Sequence, residues 1–348
     1  MMKFIFYLVL ASIALTALLR FSIEFEDAQD IAIEQMLRVQ MSSTALGLPN
    51  PDALRAYVCG SGSPFGNSDR AQACIAIVTP HHFYVVDSGA GSVANIVSDR
   101  LPIDRLQGIM ITHLHSDHIA EIYELNLASW VRGRPEPLVV SGPSGIRKVV
   151  GAINDTYDAD RRFRIAHHGE SVLTPHLGKI EHRTVKADQV IEDGDLTITV
   201  YAASHPPIEP SLGYRFDYRG RSIVISGDSN VTAETKLIAA NTDLLIHDAL
   251  AVPVITRSAA AAEKAGLNRL AKIMTDVMDY HASTESLIQL GQEIDIGMVA
   301  YYHLVPVPAN FVVEKVFERN LPENYVIADD GHWFELPANS DEIRVITP

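Results

Sequence analysis

Two periods of apolar spacing divide this chain. Runs of strand length, alternating or continuous, occur at Ala53–Cys59, Ala73–Thr79, Phe83–Asp87, Ile109–Ile111, Pro137–Ser141, Gln189–Val200 around a turn at Glu192–Asp195, Gly213–Tyr218, Ser222–Ser226, Leu244–His247 and Met298–Tyr302. Helical spacing marks Asp27–Met41, Ile119–Val131, Gly145–Tyr157, Ala259–Met278 and Ser283–Leu290. Pro80-His-His82 and Arg219-Gly220 read as hairpin turns, with His81 and His82 exposed in the first. The stretch Ile165–Glu170, which carries His167 and His168, reads as a loop or strand end. Strands in two groups, each followed by helices, predict one mixed α/β domain of layered sheets over residues 51–348.

The N-terminus adds an address. Phe4–Leu19 is uncharged and lies between Lys3 and Arg20. Residues 1–23 are therefore expected to be a signal peptide or an uncleaved hydrophobic anchor helix, leaving the bulk of the chain outside the cytoplasm. Residues 24–50 read as an amphipathic helix, juxtamembrane or core-docking, followed by a linker at Gly47–Pro51. With 47% apolar and 20% charged residues the rest is ordinary globular sequence. A net charge of −15 gives a long polyanion an unfavourable field, so no nucleic-acid partner is expected. The two cysteines, Cys59 and Cys74, fall in apolar runs and read as buried thiols, or as one bridge if the chain matures in an oxidising compartment.

The chemistry concentrates in Gly108-Ile-Met-Ile-Thr-His-Leu-His-Ser-Asp-His118. An apolar run delivers His113, His115, Asp117 and His118 where a helix begins, and three imidazoles beside a carboxylate are costly together unless a cation joins them. Three further donors close apolar runs at a distance: His205 after Leu196–Ser204, Asp228 after Ser222–Gly227, and His303 after Met298–Tyr302. Five histidines and two aspartates make the ligand set of a binuclear hydrolytic centre. The Gly-rich Gly60–Gly66 lacks the lysine of a phosphate loop and reads as a turn.

The order Thr112-His-Leu-His-Ser-Asp-His118, His205, Ser226-Gly-Asp228, His303 resembles the metallo-β-lactamase fold superfamily. The resemblance implies a four-layer αββα sandwich, with His113, His115 and His205 on one metal, Asp117, His118 and His303 on the other, and Asp228 bridging. Gly60–Pro64, Gly213–Phe216, Leu245-Ile-His-Asp-Ala249 and Tyr280-His-Ala-Ser-Thr-Glu285 are similar to the ribonuclease Z-like group, which includes arylsulfatases and phosphodiesterases. In that group the histidine matching His281 donates a proton, and the residue matching Asp248 is usually glutamate. Two departures count against other members. The commonest zinc β-lactamases use cysteine where this chain has Asp228, and the Gly- and Pro-rich arm that holds tRNA is not visible.

The resemblance implies two divalent ions, with zinc the default for imidazole and carboxylate and manganese or iron accepting the same ligands. It further implies hydrolysis of a small anionic ester, a phosphodiester or aryl sulfate, by a hydroxide shared between the ions, with His281 protonating the leaving oxygen. A lactonase or other carboxylic-ester hydrolase would use the same centre, and a non-catalytic metal-binding scaffold is the reading from another class. Asp87 and Asp248 are the candidates for orienting metal-bound imidazoles. His167 and His168 line the pocket or decorate a loop, and His332 is structural or exposed. Partners are a small ester, the membrane through the N-terminal segment, and a second copy if the chain dimerises.

Overall fold

A computed structural model describes residues 25–42, 52–64 and 69–348, and the chain divides into two units, Met1–Gly47 and Leu48–Pro348. The expected hydrophobic segment at 1–23 and the linker at 47–51 lie outside the described residues. Among those described, no helix is long and apolar enough to cross a membrane. The first unit shows one helix, Glu26–Ser42, on which Ile31, Ile33, Met36 and Leu37 are exposed.

In the second unit the strands separate into two sheets. β1 (Ala53–Gly60), β2 (Cys74–Val78), β3 (Phe83–Val86), β4 (Gly108–Met110), β5 (Leu138–Gly142) and β6 (Ile180–Thr184) build the first. The second takes β7 (Val190–Asp193), β8 (Leu196–His205), β9 (Ile208–Tyr218), β10 (Arg221–Ile225), β11 (Thr242–Leu250), β12 (Ile296–Val305) and β13 (Tyr325–Ile327). β14 (Trp333–Pro337) and β15 (Arg344–Ile346) return to the first sheet, where β14 pairs antiparallel with β1. In each sheet antiparallel hairpins pass into parallel strands reached through helices, as crossover connections require.

Strand periodicity explains the layering. Leu54, Ala56 and Val58 of β1 join Ile198, Val200, Phe216, Ile223 and Ile225 in the core between the sheets, while Tyr57 and Cys59 belong to the opposite face. That outer face packs on helices Ser92–Ser98, Ile122–Val131 and Ile146–Thr156. The outer face of the second sheet is covered by helices Ala233–Ala239, Thr284–Glu293 and Phe311–Phe317. The result is the expected αββα order.

Several local expectations change. The helical stretch Ile119–Val131 is two helices, Ser116–Ile119 and Ile122–Val131, because the Glu121 amide bonds to Ser88 O (2.8 Å) instead of continuing the helical ladder. Ala259–Met278 is likewise two helices, Val252–Lys264 and Asn268–Asp276, parted where Gly266 takes φ 74°. His167 and His168 end a helix, Asp158–His168, not a loop or strand, and both are exposed. His82 is buried rather than exposed. Its Nδ1 lies 2.7 Å from Thr79 Oγ1, and the β7–β8 turn brings Asp193 and Asp195 within 3.9 Å of the ring. His332 is structural: its Nδ1 accepts from the Asp329 amide in the turn before β14.

Cys59 and Cys74 are not free thiols but a disulfide between β1 and β2, both residues fully buried. Cys59 sits where the β1–β2 register shifts, between Val58 and Gly60. The bridge closes a separation of 15 residues. Replacing both cysteines by alanine should therefore lower stability by about 3 kcal/mol. Denaturant midpoints measured without reductant check this, and an unchanged midpoint would mean the bridge constrains nothing.

Candidate metal centre

Four sequence-distant segments deliver the predicted donors. β4 ends at Met110, and Thr112 leads into His113; His115 stands just before the helix Ser116–Ile119, whose first turn carries Asp117 and His118. His205 ends β8 beside a register shift in its pairing with β9. Asp228 follows β10 after Gly227, which takes φ 63° and lies so close to Thr112 that a Cβ would sit 2.7 Å from that side chain. Glycine is required there on both counts. His303 is the unpaired residue of a bulge: Asp248 pairs with Tyr302 and Ala249 with Leu304, and His303 itself has φ 41°. Bulges of this kind re-aim side chains at functional sites.

The seven side chains converge into two groups with one shared member. One donor atom from each of His113, His115, His205 and Asp228 lies within 4.8 Å of the others; the same holds for Asp117, His118, Asp228 and His303. All are buried except His115. His113 Nε2 and His115 Nδ1 stand 3.0 Å apart, and His118 Nε2 is 3.4 Å from both Asp117 Oδ2 and Asp228 Oδ2. His118 Nε2 and Asp228 Oδ1 are buried without a hydrogen-bond partner. Buried polar atoms left without a partner inside such a cluster are what a cation would satisfy, so the donor set fits divalent metal.

Partners outside the two groups fix the imidazoles. Asp87, at φ 59° after β3, places Oδ2 2.7 Å from His118 Nδ1. Thr112 holds that carboxylate, donating through its amide to Oδ1 (2.9 Å) and through its hydroxyl to Oδ2 (2.8 Å). The Tyr280 carbonyl lies 3.1 Å from His205 Nδ1. Asp248 does something other than expected. It orients no imidazole of the two groups; its Oδ2 is 2.8 Å from His281 Nδ1 and its Oδ1 2.8 Å from His247 Nδ1. The reason is topological, since β11 carries Asp248 past the groups toward the segment before helix Thr284–Glu293. His281 is buried, with its ring 5.3 Å from that of His205 and 5.4 Å from that of His303, so it stands between the two groups. His167 and His168 belong to neither group.

Electrostatics separate the groups. Burial pushes the imidazoles of His113, His115 and His205 below the ordinary histidine range. Burial acts the same way on His118 and His303, but the Asp228 carboxylate, with Asp87 beside His118 and Asp117 beside His303, overrides it and raises both. Burial opposes ionisation of Asp117 and Asp228, and the neighbouring His118 and His303 more than offset it, holding both carboxyls below their usual range. Asp248 is lowered likewise, by His247 and His281 against burial.

Two expected outcomes arise here. In the metal-free protein the raised His118 and His303 hold protons that a cation must displace, whereas His113, His115 and His205 are already neutral. Affinity at the Asp117–His118–His303 group should therefore fall as pH falls, starting above the ordinary imidazole value of about 6.5, and fall more steeply than at the other group. Chelator competition across pH, with proton release measured calorimetrically, checks the sign; equal pH dependence at both groups would contradict it. Asp87→Ala should weaken metal binding by about 10–100-fold, the usual cost of losing a carboxylate behind a metal-binding imidazole. Equilibrium dialysis against zinc measures it.

A two-sheet αββα sandwich gathering imidazoles and carboxylates near the ends of β4, β8, β10 and β12 defines a protein of the metallo-β-lactamase fold. The beta-lactamase superfamily domain matches residues 83–303, and the chain belongs to that superfamily. Among curated proteins it is similar to ribonuclease Z of Mycobacterium bovis, 29% identical over 256 residues that cover 73% of this chain and 86% of the relative. Among solved structures it resembles the metallo-beta-lactamase fold protein YhfI of Bacillus subtilis, with TM-score 0.60 and 18% identity over 81% of this chain and 99% of that one. The short form of human tRNase Z aligns with TM-score 0.57 and 17% identity over 81% and 99%. At such identities these two likenesses are of fold.

Sequence reasoning missed Thr112 as the holder of Asp87 and the Tyr280 carbonyl as the partner of His205. A threonine between an apolar strand and a histidine has no distinguishing spacing, and a backbone carbonyl leaves no mark in sequence.

Proposed function

We propose that this chain is a metal-dependent hydrolase of small anionic esters, phosphodiesters or aryl sulfates, with His113, His115 and His205 holding one ion, Asp117, His118 and His303 a second, and Asp228 shared. The observation that carries the reading is the placement of His281 between the two donor groups with its Nδ1 anchored on Asp248. Two divalent cations, zinc by preference of the donor set, would supply Lewis-acid chemistry: activation of water near neutral pH and neutralisation of charge gathering on the ester oxygens. The chain's own residues do the rest. His281 Nδ1–H donates to Asp248 Oδ2, which fixes the ring and leaves Nε2 to give a proton to the departing oxygen. Asp87 and the Tyr280 carbonyl keep His118 and His205 in one tautomer and orientation. Burial of every donor but His115 limits competing water.

A lactonase would need the same donors and a different pocket lining. An RNA endonuclease is favoured specifically by the 29% identity to a ribonuclease Z, and opposed by the net charge of −15. The Cys59–Cys74 bridge supports maturation in an oxidising compartment, in keeping with an exported or membrane-anchored chain.

The deciding experiment combines metal analysis with a panel of a bis-aryl phosphate, an aryl sulfate, a lactone, a cephalosporin and a precursor tRNA. Selective turnover of the phosphate or sulfate is the expected result. Turnover of the tRNA alone would replace this reading, and no turnover by fully metallated protein would favour the non-catalytic scaffold.

A further inference from the structure

Next to His205 and His281 lies a cavity of about 540 Å³ lined by Pro206, Pro207, Ile273, Asp276, Asp279 and Tyr280. Two of its lining residues adjoin the centre. Pro206 follows His205 directly, and the Tyr280 ring stands 4.8 Å from the His205 ring and 4.9 Å from that of His281. Its far wall comes from helix Asn268–Asp276 and the short turn Val277–Asp279, so the segment that ends in His281 also shapes the cavity.

The lining has two characters. Pro206, Pro207, Tyr280 and Ile273 offer flat or branched apolar surface, and Ile273 is 40% exposed although it projects from an otherwise amphipathic helix. Water there is displaceable, and an apolar group that displaced it would gain. The two carboxylates set the charge. Asp276 is paired with Lys272, four residues before it on the same helix, whereas Asp279 has no ion-pair partner among the described residues. No lysine or arginine lines the cavity.

We infer that this cavity takes the uncharged aryl group of the ester, on the leaving side served by His281, and that its carboxylates turn away groups bearing a second negative charge. The inference rests on the hydrolase reading for what the ester is, and it narrows the substrate class. It separates this chain from a polynucleotide substrate, which carries a negative charge at every linkage and would bring the next phosphate toward Asp279.

The test is a binding measurement on the metal-loaded protein, independent of turnover. Phosphonates carry a single organic group, so their selectivity reports on one pocket at a time. Phenylphosphonate should bind about tenfold or more tightly than methylphosphonate, as filling an apolar pocket allows. A meta-carboxyl on the phenyl ring should lose most of that gain, and Asp279→Asn should restore it. Ile273→Ala, at a half-exposed position, should reduce the phenyl-to-methyl ratio. Equal affinity for phenyl and methyl, an undiminished ratio in Ile273→Ala, or indifference to the carboxyl group would each overturn the inference. A protein that selects phenylphosphonate in this way yet hydrolyses nothing in the ester panel would refute the hydrolase reading and leave the aryl pocket standing.

Discussion

Asp228→Ala should leave a protein that folds but neither retains its full metal content nor turns over substrate. Asp228 is the single residue belonging to both donor groups, with Oδ2 3.4 Å from His118 Nε2 and 3.9 Å from His113 Nε2, and Oδ1 3.4 Å from His303 Nε2. Its removal takes one donor from each group at once and withdraws the charge that most raises His118 and His303. The loss should exceed the ~10–100-fold that follows removal of an outer carboxylate such as Asp87. Elemental analysis of the purified variant, with kcat on the best ester of the panel, measures both. The two groups are separated by the comparison with His115→Ala, which should deplete one ion and spare the other. Full activity and full metal content in Asp228→Ala would sink the binuclear reading.

His281→Ala should show the opposite pattern, with metal retained and kcat reduced by about 10²–10⁴-fold, the usual span for a general acid. The side chain is tied to Asp248 and touches both donor groups only through ring contacts. A loss of metal would reveal it as a ligand instead. Leaving-group dependence is the sharper readout. An ester with a nitrophenolate leaving group needs little protonation and should lose least, whereas an alkoxide leaving group should lose most. Asp248→Asn should reproduce the pattern more weakly, because an uncharged amide holds His281 Nδ1 by a weaker hydrogen bond than the carboxylate does. A uniform loss across leaving groups would mean that His281 only shapes the pocket.

These two expectations differ in how far they could be read before folding. The donor set was legible in the chain because metal binding restricts residue type severely: His113, His115, Asp117 and His118 occur within six residues of an apolar run, and His205, Asp228 and His303 each close another. A mixed α/β domain of layered sheets was legible for a similar reason, since period-two runs and helical runs follow one another in an order that layered sheets satisfy, whereas the four-layer αββα order was implied by the resemblance to the metallo-β-lactamase superfamily. The helix break at Gly266 could have been seen, as glycine near a helical end is a known terminator. The second of the two helices it separates lines the cavity beside His281 through Ile273 and Asp276.

Other features had no local signature. His82 has the look of a turn histidine because the residues that cover it, Asp193 and Asp195 of the β7–β8 turn and Tyr218 of β9, lie more than a hundred residues on. Whether Cys59 meets Cys74 depends on the register of β1 and β2 and on the bulge that re-aims Cys59. The partner of Asp248 has no local mark, because the choice between a metal-bound imidazole and His281 depends on how β11 packs against His281, 33 residues later.

By itself, then, the chain determined which chemistry is available: the identities and order of seven candidate donors, and the alternation that makes layered sheets. Tertiary structure decided how those groups act. It divided the donors into two sets around Asp228, turned His303 inward through a bulge at positive φ, gave Asp87 to His118 and Asp248 to His281, and opened an acid-rimmed apolar cavity beside them. The physical reason is one of range. Residue type and periodicity act over a few positions, whereas convergence and electrostatic pairing arise from contacts between segments about a hundred residues apart, which only packing brings within a few ångströms.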